Sequence, residues 1–288
     1  MPTCAFLTTD DLDAFVTYDA EAVAPLAALG WTVETVPWRS GADWDAYDLV
    51  VIRSPWDYQD APGDFLDVLG AIDGSAARLE NPLPVVRWNL RKTYLRDLER
   101  AGVPVVPTRW AEAGLTADAL AGAFRQWGVP EVVAKPVVSA NADGTFRLGP
   151  DPATWDEALT TLDGRPCLVQ PFLPAVVSEG ELSAFAFGGD VSHAVLKTPA
   201  AGDFRVQEEH GGLIRGVAPT PELLALSERA LAAVPHGAPL LYARVDAARL
   251  PSGALAVMEL ELIEPSLYFP FAEGSAARFA AALDRLCG

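Results

Sequence analysis

The run Met258–Glu259–Leu260–Glu261–Leu262–Ile263–Glu264–Pro265 alternates carboxylates with aliphatic residues. An extended strand sorts such a pattern onto two faces, because successive side chains there point to opposite sides. Glu259 and Glu261 then share one face, and Leu260 and Leu262 the other. The preceding strand-like segment, Leu240–Ala247, carries Asp246 near its end, and Leu250–Pro251–Ser252–Gly253 supplies a turn between the two. If these strands pair, three carboxylates meet on one patch between apolar neighbours. Burying such charges without a partner is costly. A divalent cation is one compensation, and oxygen-only ligands favour Mg²⁺, Mn²⁺ or Ca²⁺ over zinc or copper. A polar, solvated strand face is the alternative that the same pattern allows.

The basic residues are distributed unevenly. Of 21, 18 are arginine and only Lys92, Lys135 and Lys197 are lysine. A planar guanidinium fork does not replace a compact ammonium. Lysine retained at three interior positions therefore points either to a site that needs ammonium groups or to chance survival under codon bias. Lys135 closes the strand-like Glu131–Ala134 and precedes the small, polar Ser139–Gly144, a strand–turn–strand pattern in which an ammonium and loop amides can reach phosphate. Lys92 falls in the first turn of a helix expected over Leu90–Ala101, with Asn89 as its N-cap and Gly102 as its terminator. Lys197 ends the second strand of a hairpin, Glu181–Phe187 and Val191–Lys197, turned at Gly188–Gly189–Asp190.

The N-terminal part alternates strands (Cys4–Thr8, Trp31–Pro37, Leu49–Arg53) with helices (Ala20–Leu29, Phe65–Ile72), which favours a parallel sheet covered by helices. Arg53–Tyr58 then follows the carboxyl end of a strand, where open α/β sheets place ligand contacts. Cys167–Pro174, apolar and broken by two prolines, reads as a connector between lobes whose backbone could pair with an adenine edge. Ala200–Gly212 reads as a mobile loop over a site. Helices are expected over Pro221–Val234 and Phe271–Leu286.

Acidic groups outnumber basic ones by 39 to 21, and the resulting formal charge of −18 opposes nucleic-acid binding. No apolar run reaches the roughly 20 residues of a membrane span, and no basic-then-apolar leader opens the chain. A cytoplasmic protein is expected. Cys4, Cys167 and Cys287, like the three histidines, are too scattered to form a disulfide framework or a zinc site.

Taken together, these motifs resemble the ATP-grasp superfamily, in particular its glutathione-synthetase-like branch. The pattern covers roughly Asn89 to the C-terminus, with a weaker match before it. Arg53–Tyr58, Val86–Trp88, Tyr242–Asp246 and Glu259–Ser266 are similar to small ATP-grasp ligases related to a D-cycloserine-forming cyclo-ligase. The resemblance implies an α/β fold with an N-terminal Rossmann-like domain (1–88), a small lobe carrying Lys92 and Lys135 (89–169) and a large C-terminal lobe carrying the metal site (170–288). It implies ATP phosphates on Lys92, Lys135 and Lys197, adenine against Gln170, Pro171, Phe172 and Leu173, ribose on Glu181, and Mg²⁺ (or Mn²⁺) on Asp246, Glu259 and Glu261. Arg205 and Arg244 are expected to act in catalysis, and Arg53 to meet the substrate's polar end. Two departures stand out: Glu261 occupies a metal position that is commonly asparagine in glutathione synthetases, and the central part of the phosphate loop contains a single glycine, Gly144.

The implied reaction activates a small carboxylate, of an amino acid or peptide, as an acyl phosphate for attack by a nitrogen nucleophile, with release of ADP and phosphate. The alternatives are a phosphotransferase with a hydroxyl acceptor and a non-catalytic nucleotide binder. Small-molecule carboxylate and amine partners are expected, a homodimer is left open, and Glu264 falls out of phase with the metal pair.

Overall fold

Apolar runs that are continuous rather than alternating belong to strands buried on both faces, and the two central strands of the first sheet are built from such runs. In the computed structural model, which describes residues 1–13 and 15–288, β1 (Thr3–Thr8), β2 (Thr32–Pro37), β3 (Leu49–Ser54) and β4 (Arg78–Glu80) pair in parallel in the order β2-β1-β3-β4. Every residue of β3 is buried. Helix Pro62–Asp73 packs Phe65, Leu69 and Ile72 onto one face, with Ala5, Leu7 and Ile52. The last helix, Ser275–Cys287, packs Phe279 and Leu283 onto the other, with Cys4, Phe6 and Val51.

The second sheet is antiparallel, with β5 (Arg109–Ala111), β6 (Val132–Pro136), β7 (Phe146–Leu148) and β8 (Cys167–Pro171) in the order β5-β8-β6-β7. Helix Ala117–Trp127 packs Leu120 and Ala123 against it. The third sheet is antiparallel as well: β9 (Glu181–Phe187), β10 (Asp190–Thr198), β11 (Leu213–Val217), β12 (Tyr242–Arg249) and β13 (Leu255–Glu261) run in the order β11-β10-β9-β12-β13. One face of this sheet is closed by Leu223, Leu226 and Ala230 of helix Pro221–Ala232 and by Leu95 and Leu98 of helix Tyr94–Arg100. Ala184, Val245, Ala247 and Leu260 meet them there. The opposite face is divided: Phe185, Phe187, Val195 and Tyr242 pack there with Phe269 and Phe279, and Glu181, Ser183, Lys197, Arg244 and Asp246 occupy the rest. Among the described residues, no helix is long and apolar enough to cross a membrane.

The structure differs from the sequence reading in two places. Asn89 does not cap a helix over Leu90–Ala101; it ends helix Leu83–Asn89, and a break separates that helix from Tyr94–Arg100. Proline in the first turn favours a start at Leu83, and the Asn89 side chain is engaged elsewhere: its Nδ2 donates to Leu260 O at 2.8 Å, and its Oδ1 accepts from Leu262 N at 2.9 Å. Lys92 therefore lies in the break, not in a first helical turn. The expected connector Cys167–Pro174 is in large part strand β8, paired on both sides. Pro171 is its last residue, a position proline tolerates.

Candidate active site

The short turn between β12 and β13 pairs the two strands, and a bulge between Asp246 and Ala247 shifts their register by one residue before the polar face begins. Asp246 lies opposite Glu259 across that ladder and Arg244 opposite Glu261. On the other side of β12, Asp246 faces Ser183 of β9, and Glu181 of β9 faces Lys197 of β10. Residues directly opposed in an antiparallel pair share a face. Acids and bases from neighbouring strands are thereby interleaved on one surface.

All three lysines reach it. Lys197 Nζ lies 3.1 Å from Asp246 Oδ1 and also contacts Glu181. Lys135, near the end of β6, crosses from the second sheet and donates to Glu259 Oε1 at 2.5 Å. Lys92 Nζ is 3.7 Å from the same oxygen and donates to Ser139 O at 2.9 Å. Arg244 Nε spans both Asp246 oxygens at 3.1 Å, and its guanidinium pairs with Glu261. Ser183 Oγ donates to Asp246 Oδ1 at 2.5 Å.

Burial pushes every one of these carboxyls upward, and the neighbouring cations decide the outcome. Against that burial, Lys135 and Lys92 hold Glu259 down at about 2, and Arg244 and Lys197 hold Asp246 below the usual carboxylate range. For Glu261, burial, reinforced by Asp246, Glu264 and Glu259, outweighs Arg244, and the carboxyl is pushed up to about 8. Among the described residues, no three acidic, histidine or cysteine side chains gather as a metal cluster. Asp246, Glu259 and Glu261 share the face, but their oxygens turn to lysine and arginine instead of closing on one point. Their hard oxygen chemistry and common cavity fit a divalent cation only if those bases turn elsewhere.

This face lines a cavity whose water-accessible core is ≈ 220 Å³. Gln170, Pro171, Phe172 and Leu173 line it too, as do Glu181, Arg205 and Arg244. Gln170 Nε2 donates to Thr108 Oγ1 at 3.0 Å, which fixes the segment. Arg205 is tied to Asp203 at 2.7 Å within the loop that follows β10. That loop is latched on two sides: Tyr18 OH donates to Glu208 Oε1 at 2.9 Å, Val16 N to Glu209 Oε1 at 3.1 Å, and His210 Nε2 lies 3.3 Å from Asn141 O.

Arg53 does not belong to this cavity, contrary to the expectation from its place after a strand. It is 1% exposed and engaged by Asp19 Oδ1 at 2.9 Å and Pro265 O at 2.9 Å. A buried guanidinium requires such partners, so Arg53 is an internal bracket. From the same segment the chain presents Trp56 and Tyr58 to the cavity instead. Tyr94 and Ser183 are not singled out by the sequence, and Asn89 reads there only as a helix cap. Tyr94 OH accepts from Leu260 N at 2.9 Å, steadying β13 between its two glutamates. Only Ser183 carried a signal, its in-phase position two residues after Glu181.

Comparison with known proteins gives the family of the chain. A family model described as the N-terminal domain of the D-cycloserine synthetase DcsG matches residues 4–81. The cycloserine biosynthesis protein DcsG of Streptomyces lavendulae is 33% identical over 298 residues, which span 96% of this chain and 96% of that protein. The crystal structure of D-cycloserine synthetase DcsG matches with a TM-score of 0.86 at 29% identity, over 99% of this chain and 100% of that one. A structure of the ATP-grasp ligase PsnB complexed with minimal precursor, Mg and ADP shares the fold, with a TM-score of 0.66 at 17% identity over 99% and 97% of the two chains. The chain belongs to the ATP-grasp superfamily, alongside the D-cycloserine synthetase DcsG, and is an ATP-dependent carboxylate–amine ligase.

Proposed function

We propose that the cavity binds ATP with its phosphates on Lys92, Lys135 and Lys197, its adenine against Gln170–Leu173 and its ribose at Glu181, and that it activates a small carboxylic acid of the amino-acid or peptide class. One observation carries this reading: the only lysines in the chain come from three separate segments to a single face. A relative named for D-cycloserine synthesis supports an amino-acid-derived carboxylate. On this reading residues 1–88, 89–169 and 170–288 are the functional units, with the lysines drawn from the last two.

The substrate carboxylate oxygen attacks the γ-phosphorus, the bond to the β-phosphate oxygen breaks, and ADP leaves with the released electron pair. A nitrogen nucleophile then adds to the acyl carbon, the carbon–oxygen bond to phosphate breaks, and the nitrogen gives up its proton. The lysines offset phosphate charge, and positioning supplies much of the rate. Arg205 and Arg244 orient the carboxylate and stabilise the oxyanion. Asp246, Glu259 and Glu261 would hold Mg²⁺, or Mn²⁺, which neutralises developing phosphate charge when bound.

Trapping with hydroxylamine tests the reading. An acyl phosphate yields a hydroxamate together with ADP. ADP with a phosphate ester and no hydroxamate means phosphotransfer, and nucleotide binding without ADP release means a non-catalytic binder.

A further inference from the structure

One part of the cavity wall is built differently. Trp56 Nε1 donates to Glu264 O at 2.9 Å, which fixes that residue's backbone. The Tyr58 hydroxyl faces the Glu264 carboxyl, and the Phe15 ring lies 5.4 Å, centroid to centroid, from Trp56. All four residues line the cavity. Glu181, Asp246, Glu259 and Glu261 each pair with a lysine or arginine, whereas Glu264 has no salt-bridge partner among the described residues. Two residues on, Ser266 Oγ also lines the cavity, buried and without a hydrogen-bond partner. A carboxylate with no cation in contact, aromatic faces beside it and a hydroxyl in need of a partner together suit an organic ammonium: the carboxylate supplies the charge, and the rings add cation–π attraction.

We infer that Glu264, with Trp56, Tyr58 and Phe15, binds the protonated amino group of the substrate whose carboxylate is activated beside Arg244. The inference rests on the ligase reading above and narrows its substrates to acids that carry a free ammonium group. It also makes Glu264 a specificity determinant. An acid lacking the amine leaves a buried polar site unpaired, the situation in which sites reject an analogue most strongly. Burial holds the Glu264 carboxyl above its ordinary range, with Tyr58 and, more distantly, Lys92 and Arg244 working against it, and an ammonium in contact would favour the charged form.

The test uses the full chain with Mg·ATP and pairs of acids that differ only in the amine: alanine against propionate, and serine against 3-hydroxypropionate. ADP release reports turnover, and the melting temperature with each acid reports binding. The expected result is turnover and stabilisation by the amino acids alone. Glu264→Gln, close to isosteric, then raises KM for the amino acid by about 30-fold with kcat much less affected. Phe15→Leu, on the N-terminal loop, raises it by about threefold. Propionate binding as well as alanine, or an unchanged KM in Glu264→Gln, overturns the inference. No ADP release with any of these acids overturns the proposed activation of small amino acids instead, and alanine must still outbind propionate for the subsite to stand.

Discussion

Lys135 Nζ lies 2.5 Å from Glu259 Oε1, across 124 residues of sequence and between two different sheets. A flexible ammonium at the end of β6 and a carboxylate fixed on β13 thus share charge in a buried place, and Lys92 stands 3.7 Å from the same oxygen. Lys135→Ala leaves Glu259 with Lys92 alone and, on the proposed function, removes a phosphate contact. ADP formation at low ATP should fall by about 100-fold or more in a coupled assay. Lys135→Arg should not restore it, since the guanidinium cannot occupy the same point. Full turnover in Lys135→Ala would remove this lysine from the site.

Asn89 holds β13 from behind. Its amide satisfies Leu260 O and Leu262 N, the backbone groups that flank Glu261. Asn89→Ala abandons two buried partners at about 1–3 kcal/mol each, so a loss of about 2–6 kcal/mol is expected. Urea unfolding measures it. A variant within 0.5 kcal/mol of wild type, on the scale of ordinary surface changes, would mean that water replaces the amide.

The site was legible in the sequence where local geometry forced it. Glu259 and Glu261 share a face because a strand has period two, and the turn at 250–253 pairs the two strands; the turn register alone would set Asp246 against Met258, and a bulge between Asp246 and Ala247 brings it opposite Glu259 instead. The outer wall of the cavity was not legible. A strand end followed by Arg53–Tyr58 says that something there faces a ligand, but not which side chain. Arg53 turned inward to Asp19, a pairing 34 residues away, and Trp56 and Tyr58 turned to the cavity. Asn89 was misread because an asparagine before a helical pattern has the same local signature whether it caps that helix or brackets a strand 171 residues on. In the sequence the acidic patch reads as a metal site or a solvated strand face. Folding brings it four basic side chains as well, Lys92, Lys135, Lys197 and Arg244, and which acid pairs with which base is a tertiary fact.

His193 gives a pH dependence separate from catalysis. It is buried, stacked on Phe185 at 4.4 Å, with Nε2 3.0 Å from Leu267 O. Burial, despite that carbonyl, brings its pKa down to about 4. The folded value is depressed, so the unfolded chain binds the proton first. Stability is unaffected above the unfolded pKa and is lost as pH falls from about 6.5 toward 4. The loss is of order 3 kcal/mol across that window. Denaturant midpoints of wild type and His193→Gln, compared between pH 7 and 4.5, should diverge on acidification, with the wild type losing more. Parallel curves would show that His193 does not set the window.

Tyr18 ties the loop after β10 to the N-terminal part of the chain. Its hydroxyl donates to both Glu208 oxygens, at 2.9 and 3.1 Å, while Val16 N holds Glu209 and His210 reaches Asn141 O. Those contacts set the loop carrying Arg205 over the lysines, where it would exclude water from an acyl phosphate. Tyr18→Phe keeps the ring packed on Tyr268 and Phe271 and removes one hydrogen bond to a charged group, worth about 1.5–3 kcal/mol. The loop should then open more often. ADP should form at a near-normal rate while the amount of coupled product per ADP drops by about half or more, because water competes for the intermediate. The ratio of ADP to product, measured with a saturating amine, decides it: equal ratios in wild type and Tyr18→Phe would show that the latch does not protect the intermediate.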